Sequence, residues 1–154
     1  MKNQDEAKTD LATSLADFLC FAVYSTNLAF NKAYKPLFEE VGLTYSQYAT
    51  LIALNEQGDQ TVGQLGEKMF LESSTLTPLL KRLEAAGYVV RRRDEKDERQ
   101  VRVSLTDQGR AVFQKAFDGR EAVIEATGLE PEDFVRLQSD LIKLRNNLLG
   151  SSRK

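Results

Sequence analysis

Cys20 is the only cysteine of the chain, and it lies in an apolar, aromatic stretch that runs from Phe18 to Tyr24. An accessible thiol with a lowered pKa can act as a nucleophile or be oxidised. No lysine or arginine lies within one helical turn of Cys20, so the local sequence offers no cation to stabilise a thiolate. Phenolic hydroxyl groups from elsewhere could supply hydrogen bonds instead. The alternative is a small core residue, the usual role of a free cysteine in an apolar helix.

A second segment, residues 73–105, has chemistry that suits DNA. It begins with short hydroxyl residues, which can reach base edges or phosphates in a major groove, and two cations follow. Towards its end, Arg99 suits a narrow minor groove, and Asp97 can orient the Arg99 guanidinium through a charge-assisted hydrogen bond. A structural helix pair with a solvated loop is the alternative interpretation. The candidate DNA-binding residues are Ser73, Ser74, Thr75, Thr77, Lys81, Arg82, Asp97 and Arg99.

The distribution of charge supports the DNA interpretation, although the net charge of −2 by itself argues against it. Residues 81–102 hold eight basic and five acidic residues, whereas residues 1–60 hold four basic and eight acidic ones. Because a phosphate-facing surface responds to the local charge, this asymmetry outweighs the total.

Composition excludes several other classes of protein. The 154 residues, 42% of them apolar, fit one compact domain with a buried core. No apolar run approaches the roughly 18 residues of a membrane span, and the polar start lacks the apolar region of a signal peptide. A single cysteine cannot form an internal disulfide, and the absence of histidine argues against a zinc site. We expect a cytoplasmic protein without metal or cofactor.

Apolar spacing predicts helices on both sides of the DNA segment. Residues 10–31 are predicted as a helix that is apolar on more than one side, which suggests a partner chain. A separate short segment, residues 35–41, is expected to end at Gly42, and Thr44 to cap the next helix. After the DNA segment, a long helix is expected from Arg110 to about Ala126, capped by Thr106 and broken by Gly128, and Pro131 should open a last helix through Leu149.

The middle of the chain is predicted to form a helix-turn-helix followed by a hairpin. A short helix after Thr61 and a second helix capped by residues 72–74 are joined by about four residues. Pro78 is placed near the first turn of the second helix. Residues 88–91 and 100–105 are rich in β-formers. The predicted fold is mainly α with a small β-wing: a winged helix-turn-helix at residues 44–105, flanked by dimerisation helices at residues 10–42 and 106–149.

Several runs resemble a known family. Residues 76–89 resemble the recognition helix of MarR-type transcriptional regulators, and residues 97–110 resemble their wing and following helix. Residues 19–25, together with residues 33–37 and 42–48, resemble the OhrR branch, the organic-hydroperoxide sensors. The similarity extends over nearly the whole chain.

The resemblance implies a homodimer whose two lobes reach successive major grooves of a pseudo-palindromic double-stranded operator. It implies that Cys20 is the redox-sensing thiol, that Tyr34 and Tyr45 of the partner subunit hydrogen-bond its thiolate, and that Tyr24 lines the same pocket. Many members carry a second, resolving cysteine after the wing. Residues 123–127 contain none, so the one-cysteine mechanism remains.

Together these features predict a repressor, not an enzyme, that is released from DNA when an organic hydroperoxide oxidises Cys20 and a small thiol then forms a mixed disulfide. One alternative is a MarR-like repressor released by a phenolic or other non-covalent ligand in the dimer cleft. A second alternative, a thiol peroxidase, lacks a resolving cysteine and a histidine base.

Overall fold

The computed structural model describes residues 14–151, and the chain divides after Gly119 into two compact units. The first unit holds the winged helix, and its core is mainly aliphatic. A 3-10 turn at Leu15–Asp17 precedes the main elements, which are α1 Leu19–Val41, α2 Tyr45–Gln57, β1 Gln60–Thr61, α3 Val62–Met69, α4 Ser73–Ala85, β2 Val89–Arg93, β3 Val101–Leu105, α5 Asp107–Asp118, α6 Arg120–Ala126 and α7 Pro131–Ser151. The mainly α fold with a small β-wing is confirmed.

Threonine caps start three of these helices, and those at Thr44 and Thr106 were predicted. Thr44 accepts a hydrogen bond from the Gln47 amide, and the Gln47 side chain accepts one from the Thr44 amide, which completes a capping box. Thr61 begins α3 in the same way, and Thr106 accepts a hydrogen bond from the Gly109 amide at the start of α5. These caps satisfy orphan backbone donors and fix where each helix begins.

The second helix of the helix-turn-helix, α4, turns one face into the core. Its inward side chains recur at the three- and four-residue spacing of an amphipathic helix, so the opposite face remains available to solvent. These buried side chains are Leu76, Leu79, Leu80 and Leu83.

The sheet is antiparallel, with β3 between β1 and β2. The predicted hairpin is confirmed, although its strands pair over Val89–Arg93 and Val101–Leu105. The sequence did not indicate β1, which has two residues and therefore no readable alternation. β1 matters because it joins the wing to the end of α2.

The predicted boundary within the N-terminal region is wrong. Residues 35–41 are not a separate segment, because α1 continues without interruption through Pro36 to Val41. Proline removes one backbone donor from the helix, and packing of Phe38 and Val41 in the core offsets this loss. The helix begins at Leu19 and not at residue 10; residues 10–13 lie outside the described part of the chain. Gly42 ends it in the left-handed conformation, as predicted.

Two other boundaries also differ. Helix α4 begins at Ser73 with Glu72 at its N-cap and no side-chain cap, so the serine caps are not formed and Pro78 lies in the second turn. The predicted long helix after the wing begins at Asp107 and is divided at Gly119 into α5 and α6. A Cβ atom at Gly119 would lie 2.4 Å from Leu37 Cδ1, so any larger residue here would require the Leu37 side chain to move.

The second unit contains α6 and α7. Pro131 opens α7, as predicted, and none of the α7 residues is buried within the chain. Its exposed apolar side chains are Val135, Leu137, Leu141, Ile142, Leu148 and Leu149. Among residues 14–151, no helix combines the length and apolarity that crossing a membrane requires.

Candidate DNA-binding surface and thiol region

The outer face of α4 presents the polar residues that the sequence marked for DNA. Ser73, Ser74 and Thr75 are exposed in its first turn, and Thr77 is half-buried. Lys81 and Arg82 are exposed further along. The leucines on the other face are buried, so the first-turn hydroxyls are fixed on a rigid helix.

Arg99 and Asp97 form the predicted pair at the tip of the wing. Arg99 Nε donates a hydrogen bond to Asp97 Oδ1 over 3.2 Å, and the Arg99 amide donates to the same oxygen over 3.1 Å. The Arg99 side chain is nevertheless 93% exposed. Hydrogen bonds from the Arg99 amide, then from the Gln100 and Arg99 side chains, lower the pKa of Asp97. The wing therefore presents an exposed guanidinium group, which Asp97 orients and which can enter a groove of DNA.

The start of α4 and the wing share one groove of about 350 Å³. Ser73 and Thr77 line it from α4, and Arg99 lines it from the wing. The other candidates, Ser74, Thr75, Lys81, Arg82 and Asp97, are not among its lining residues. The full lining is Thr61, Val62, Gly63, Ser73, Thr77, Arg99, Gln100 and Val101.

Other arginines of the hairpin are held in ion pairs. Arg91 donates from Nε and Nη2 to Glu84 Oε2 over 2.9 and 2.6 Å, which ties β2 to α4. The Arg91 side-chain and amide hydrogen bonds lower the pKa of Glu84. Some arginines of the hairpin therefore hold elements of the fold together, and only the remaining basic residues are available to bind a ligand.

Arg92 and Arg102 lie directly opposite each other on β2 and β3. Like charges in this position repel, but both guanidinium groups donate to Asp59 Oδ2, over 2.5 and 2.9 Å. Arg102 also donates from Nη1 to Asp94 Oδ2 over 3.0 Å. Sequence reasoning did not identify Asp59, Asp94 or Arg102, because their pairing follows from strand register and from a contact across 43 residues.

Cys20 lies in the first turn of α1 and is exposed within the single chain. Tyr24 lies one turn further along and is also exposed, and its ring centroid is 6.2 Å from that of Phe21. Tyr34 follows Cys20 by 14 residues of the same helix, which corresponds to about 21 Å along its axis. Cys20 therefore lies beyond the reach of Tyr34 of its own chain.

Tyr34 and Tyr45 meet each other at the far end of α1. Their ring centroids are 5.9 Å apart, and Tyr34 stacks on Phe38 at 5.0 Å. Tyr48 joins this cluster and is buried. The structure thus brings together two of the predicted pocket tyrosines and places Cys20 and Tyr24 elsewhere in the same chain.

A groove of about 650 Å³ lies beside this tyrosine pair, between the end of α1 and the start of α2. Phe38, Leu43 and Tyr45 contribute apolar surface to it, and Lys32 and Lys35 contribute cations. Among the residues that the structure describes, no group of three or more histidine, cysteine or carboxylate side chains could hold a metal ion.

Helix α1 leaves apolar side chains uncovered on more than one side. Only Phe38 and Val41 of this helix are buried. Leu19 is 63% exposed and Leu28 is 49% exposed, and the nine residues between them place these side chains on opposite sides of the helix. Exposed apolar side chains grouped in this way are typical of a site of protein association.

Comparison with known proteins gives one consistent result. The family of SarA/Rot transcriptional regulators matches residues 32–116. The organic hydroperoxide resistance transcriptional regulator of Bacillus subtilis is 40% identical over 134 residues, which are 87% of this chain and 91% of that protein.

Two solved structures of AbfR, a protein of Staphylococcus epidermidis, are similar to this chain. Reduced AbfR bound to DNA is 36% identical with a TM-score of 0.72, over 88% of this chain and 94% of that one. Overoxidised AbfR bound to DNA is 36% identical with a TM-score of 0.71, over 87% and 94%.

The matched family and the Bacillus relative are transcriptional regulators, so the thiol peroxidase alternative is set aside. The MarR-type and OhrR-like resemblance found in the residues is confirmed by the same matches. The chain belongs to the SarA/Rot family of MarR-like winged-helix transcriptional regulators.

Proposed function

We propose that this regulator is a cytoplasmic, homodimeric repressor that binds a pseudo-palindromic operator while Cys20 is reduced and releases it after oxidation by an organic hydroperoxide. The observation that carries the proposal is the separation of Cys20 from the Tyr34–Tyr45 pair within one chain. The hydroxyl groups of Tyr34 and Tyr45 can therefore reach Cys20 only from a second copy. In this proposal, redox sensing by Cys20 therefore requires the dimer.

The uncovered apolar faces support the dimer. Residues 10–42 and 106–149 are assigned to dimerisation, and residues 44–105 to DNA binding. Exposed apolar side chains of α1, such as Leu19, lie next to Cys20, so burying them against a partner brings a second chain to the thiol. Each buried leucine contributes about 1.5–3 kcal/mol to such an interface.

The thiol pocket then contains Cys20 and Tyr24 from one subunit and Tyr34 and Tyr45 from the other. Hydrogen bonds from phenolic hydroxyl groups stabilise the thiolate, which is the form that attacks a peroxide. The surrounding phenylalanines, including Phe18 and Phe21, suit a hydroperoxide with an alkyl or acyl chain.

The chemistry proceeds in two steps. The Cys20 thiolate attacks the terminal oxygen of the hydroperoxide, the O–O bond breaks, and after proton transfer the products are a sulfenic acid and an alcohol. A small thiol then attacks the sulfenic sulfur, forms a mixed disulfide and releases water. Because Cys20 is the sole cysteine, the attacking thiol comes from solution.

DNA binding is assigned to α4 and the wing. In this assignment Ser73, Ser74 and Thr75, in the first turn of α4, contact bases and phosphates, and Thr77 lies behind them. Lys81 and Arg82 contact phosphates, and Arg99, oriented by Asp97, enters a minor groove. Two such lobes fit half-sites about 34 Å apart, one helical turn of DNA.

Release is assigned to the bulky mixed disulfide. An adduct of this size does not fit a packed pocket between two subunits, so the helices shift and the lobe spacing no longer matches the half-sites. The DNA-bound structure of overoxidised AbfR supports this assignment, because overoxidation adds only oxygen atoms to a thiol.

Binding to a DNA duplex selected from a randomised pool by the reduced chain tests the proposal. Cumene hydroperoxide plus a small thiol should abolish binding by the wild-type chain, and a strong reductant should restore it. Intact-mass measurement should show one thiol adduct per chain, and a non-reducing gel should show no covalent dimer.

Cys20→Ser is the matched control, because hydroxyl and thiol are close in size. It should bind the same duplex about as tightly as wild type and ignore the peroxide. A retained peroxide response in Cys20→Ser would contradict the proposal and favour a non-covalent ligand as the releasing signal.

A further inference from the structure

Arg102 lies at the centre of a hydrogen-bonded chain that runs from the body of the domain to the wing tip. Its Nε donates to Asp59 Oδ2 over 2.9 Å and its Nη2 to the Asp59 carbonyl over 3.1 Å. Its Nη1 points the other way, to Asp94 Oδ2 over 3.0 Å. One guanidinium therefore joins the segment between α2 and β1 to the first residue after β2.

Asp94 continues this chain into the turn of the wing. Its second oxygen, Oδ1, accepts hydrogen bonds from the amides of Lys96 and Asp97, over 2.7 and 3.1 Å. Asp97 in turn holds Arg99 by its amide and its Nε. The order of contacts is Asp59, Arg102, Asp94, Asp97 and Arg99.

The middle of the chain is better shielded from water than its end, and the side chains of Asp59 and Arg102 are each 30% exposed. The side chain of Asp94 is 13% exposed, whereas the side chain of Arg99 at the end of the chain is almost fully exposed. The hydrogen bonds also lower the pKa of Asp94 and raise that of Arg102, so both groups are charged at neutral pH. Charge-assisted hydrogen bonds of this kind are stronger than neutral ones.

We propose that Arg102 is a positioning residue for DNA recognition: by bridging Asp59 and Asp94 it fixes the height and direction of the wing, so that Arg99 and the start of α4 reach DNA together. The inference rests on the proposed contact of Arg99 with DNA. Arg102 itself donates to two carboxylates and a carbonyl, so its charge is committed within the protein.

Asp94→Asn tests the bridge, because the positioning role and simple electrostatics predict opposite changes in DNA affinity. Asparagine keeps an oxygen for the Lys96 and Asp97 amides and turns its NH₂ group toward Arg102, which breaks the bridge. Removing a negative charge beside DNA would by itself strengthen binding. The positioning role predicts binding weaker by about tenfold, measured with the full-length reduced chain and the selected duplex.

Arg102→Lys is the charge-conserving companion. A lysine ammonium lacks the planar fork that reaches two carboxylates in opposite directions, so this variant should also weaken binding by about tenfold. Thermal melting and circular dichroism identify the folded variants, and faster hydrogen exchange at residues 94–100 should accompany the loss of affinity.

A double-mutant cycle with Arg99→Ala completes the test. If Arg102 acts through the wing, Arg99→Ala should cost much less affinity in the Asp94→Asn background than in the wild-type chain. Unchanged or tighter binding by folded Asp94→Asn, or a full Arg99→Ala loss in that background, would overturn the inference and leave the DNA contact of Arg99 intact. An Arg99→Ala variant that binds like wild type would instead contradict the proposed wing contact, and the inference with it.

Discussion

The wing and the first turn of α1 are built in opposite ways. The wing has its side-chain partners within its own chain: Asp97 orients Arg99, and Asp94 satisfies two amides of the turn. The first turn of α1 leaves Cys20 exposed among uncovered apolar side chains such as Leu19. The wing thus has partners for these side chains within one chain, whereas the apolar side chains around Cys20 are uncovered in a single chain.

This difference matches the work proposed for each surface. A surface that reads DNA gains from rigidity, because ordering it on binding would reduce affinity. A surface that senses a peroxide between two subunits gains from being shared, because an adduct there acts on both lobes together. Substitutions in α1 and in the wing should separate the shared surface from the self-contained one, and the substitution in α1 should have the larger effect on DNA binding.

Leu28→Glu should disrupt the shared surface. Leu28 is half exposed among the uncovered apolar side chains of α1, and a carboxylate buried there on dimerisation would carry a large desolvation cost. Sedimentation should show the 17.3 kDa monomer. Affinity for the selected duplex should fall by roughly 100-fold or more, because two linked half-site contacts become one.

Asn55→Glu adds the same charge at an exposed polar position of α2 and should leave the dimer intact. A Leu28→Glu chain that remains dimeric at micromolar concentration would place the interface elsewhere and remove the shared pocket from the account.

Arg99→Ala should affect only the self-contained surface. The loss of a groove contact should weaken DNA binding by about 1–3 kcal/mol. The melting temperature should stay nearly unchanged, because the Arg99 side chain packs against little. A salt titration of DNA affinity measures the effect.

Lys96→Ala removes one exposed cation from the same turn. Lys96 donates a hydrogen bond to Asp94 through its backbone amide, whereas the Arg99 side chain itself is oriented by Asp97. It should cost less than Arg99→Ala. Equal losses in the two variants would show that the wing contributes charge alone, without an oriented arginine.

Local patterns in the sequence predicted much of the winged helix. The leucine spacing of α4 and the caps at Thr44 and Thr106 depend on neighbours three or four residues away, so they can be read directly. The Asp97–Arg99 pair is equally local.

Features that depend on distant parts of the chain were missed. The link between Arg102 and Asp59 requires the register of a two-residue strand. The continuation of α1 through Pro36 depends on core packing, which outweighs the local preference of proline to interrupt a helix. The thiol pocket that we propose requires a second chain, and only family resemblance indicated which tyrosines would complete it.

The central claim is that each Cys20 uses the tyrosines of the other subunit. It can be tested with heterodimers that contain a single thiol, purified through two different tags. In the first, one subunit carries Cys20→Ser and the other carries Tyr34→Phe and Tyr45→Phe. In the second, a wild-type subunit is paired with one that carries all three changes. The measured quantity is the rate at which cumene hydroperoxide oxidises the remaining Cys20.

The shared pocket predicts wild-type reactivity for the first heterodimer, because its thiol faces the intact tyrosines of the partner. The thiol of the second heterodimer faces two phenylalanines and should react more slowly, because its thiolate has lost the phenolic hydrogen bonds. The opposite order, with the first heterodimer slow and the second fast, would show that the tyrosines act within their own chain and would contradict the account.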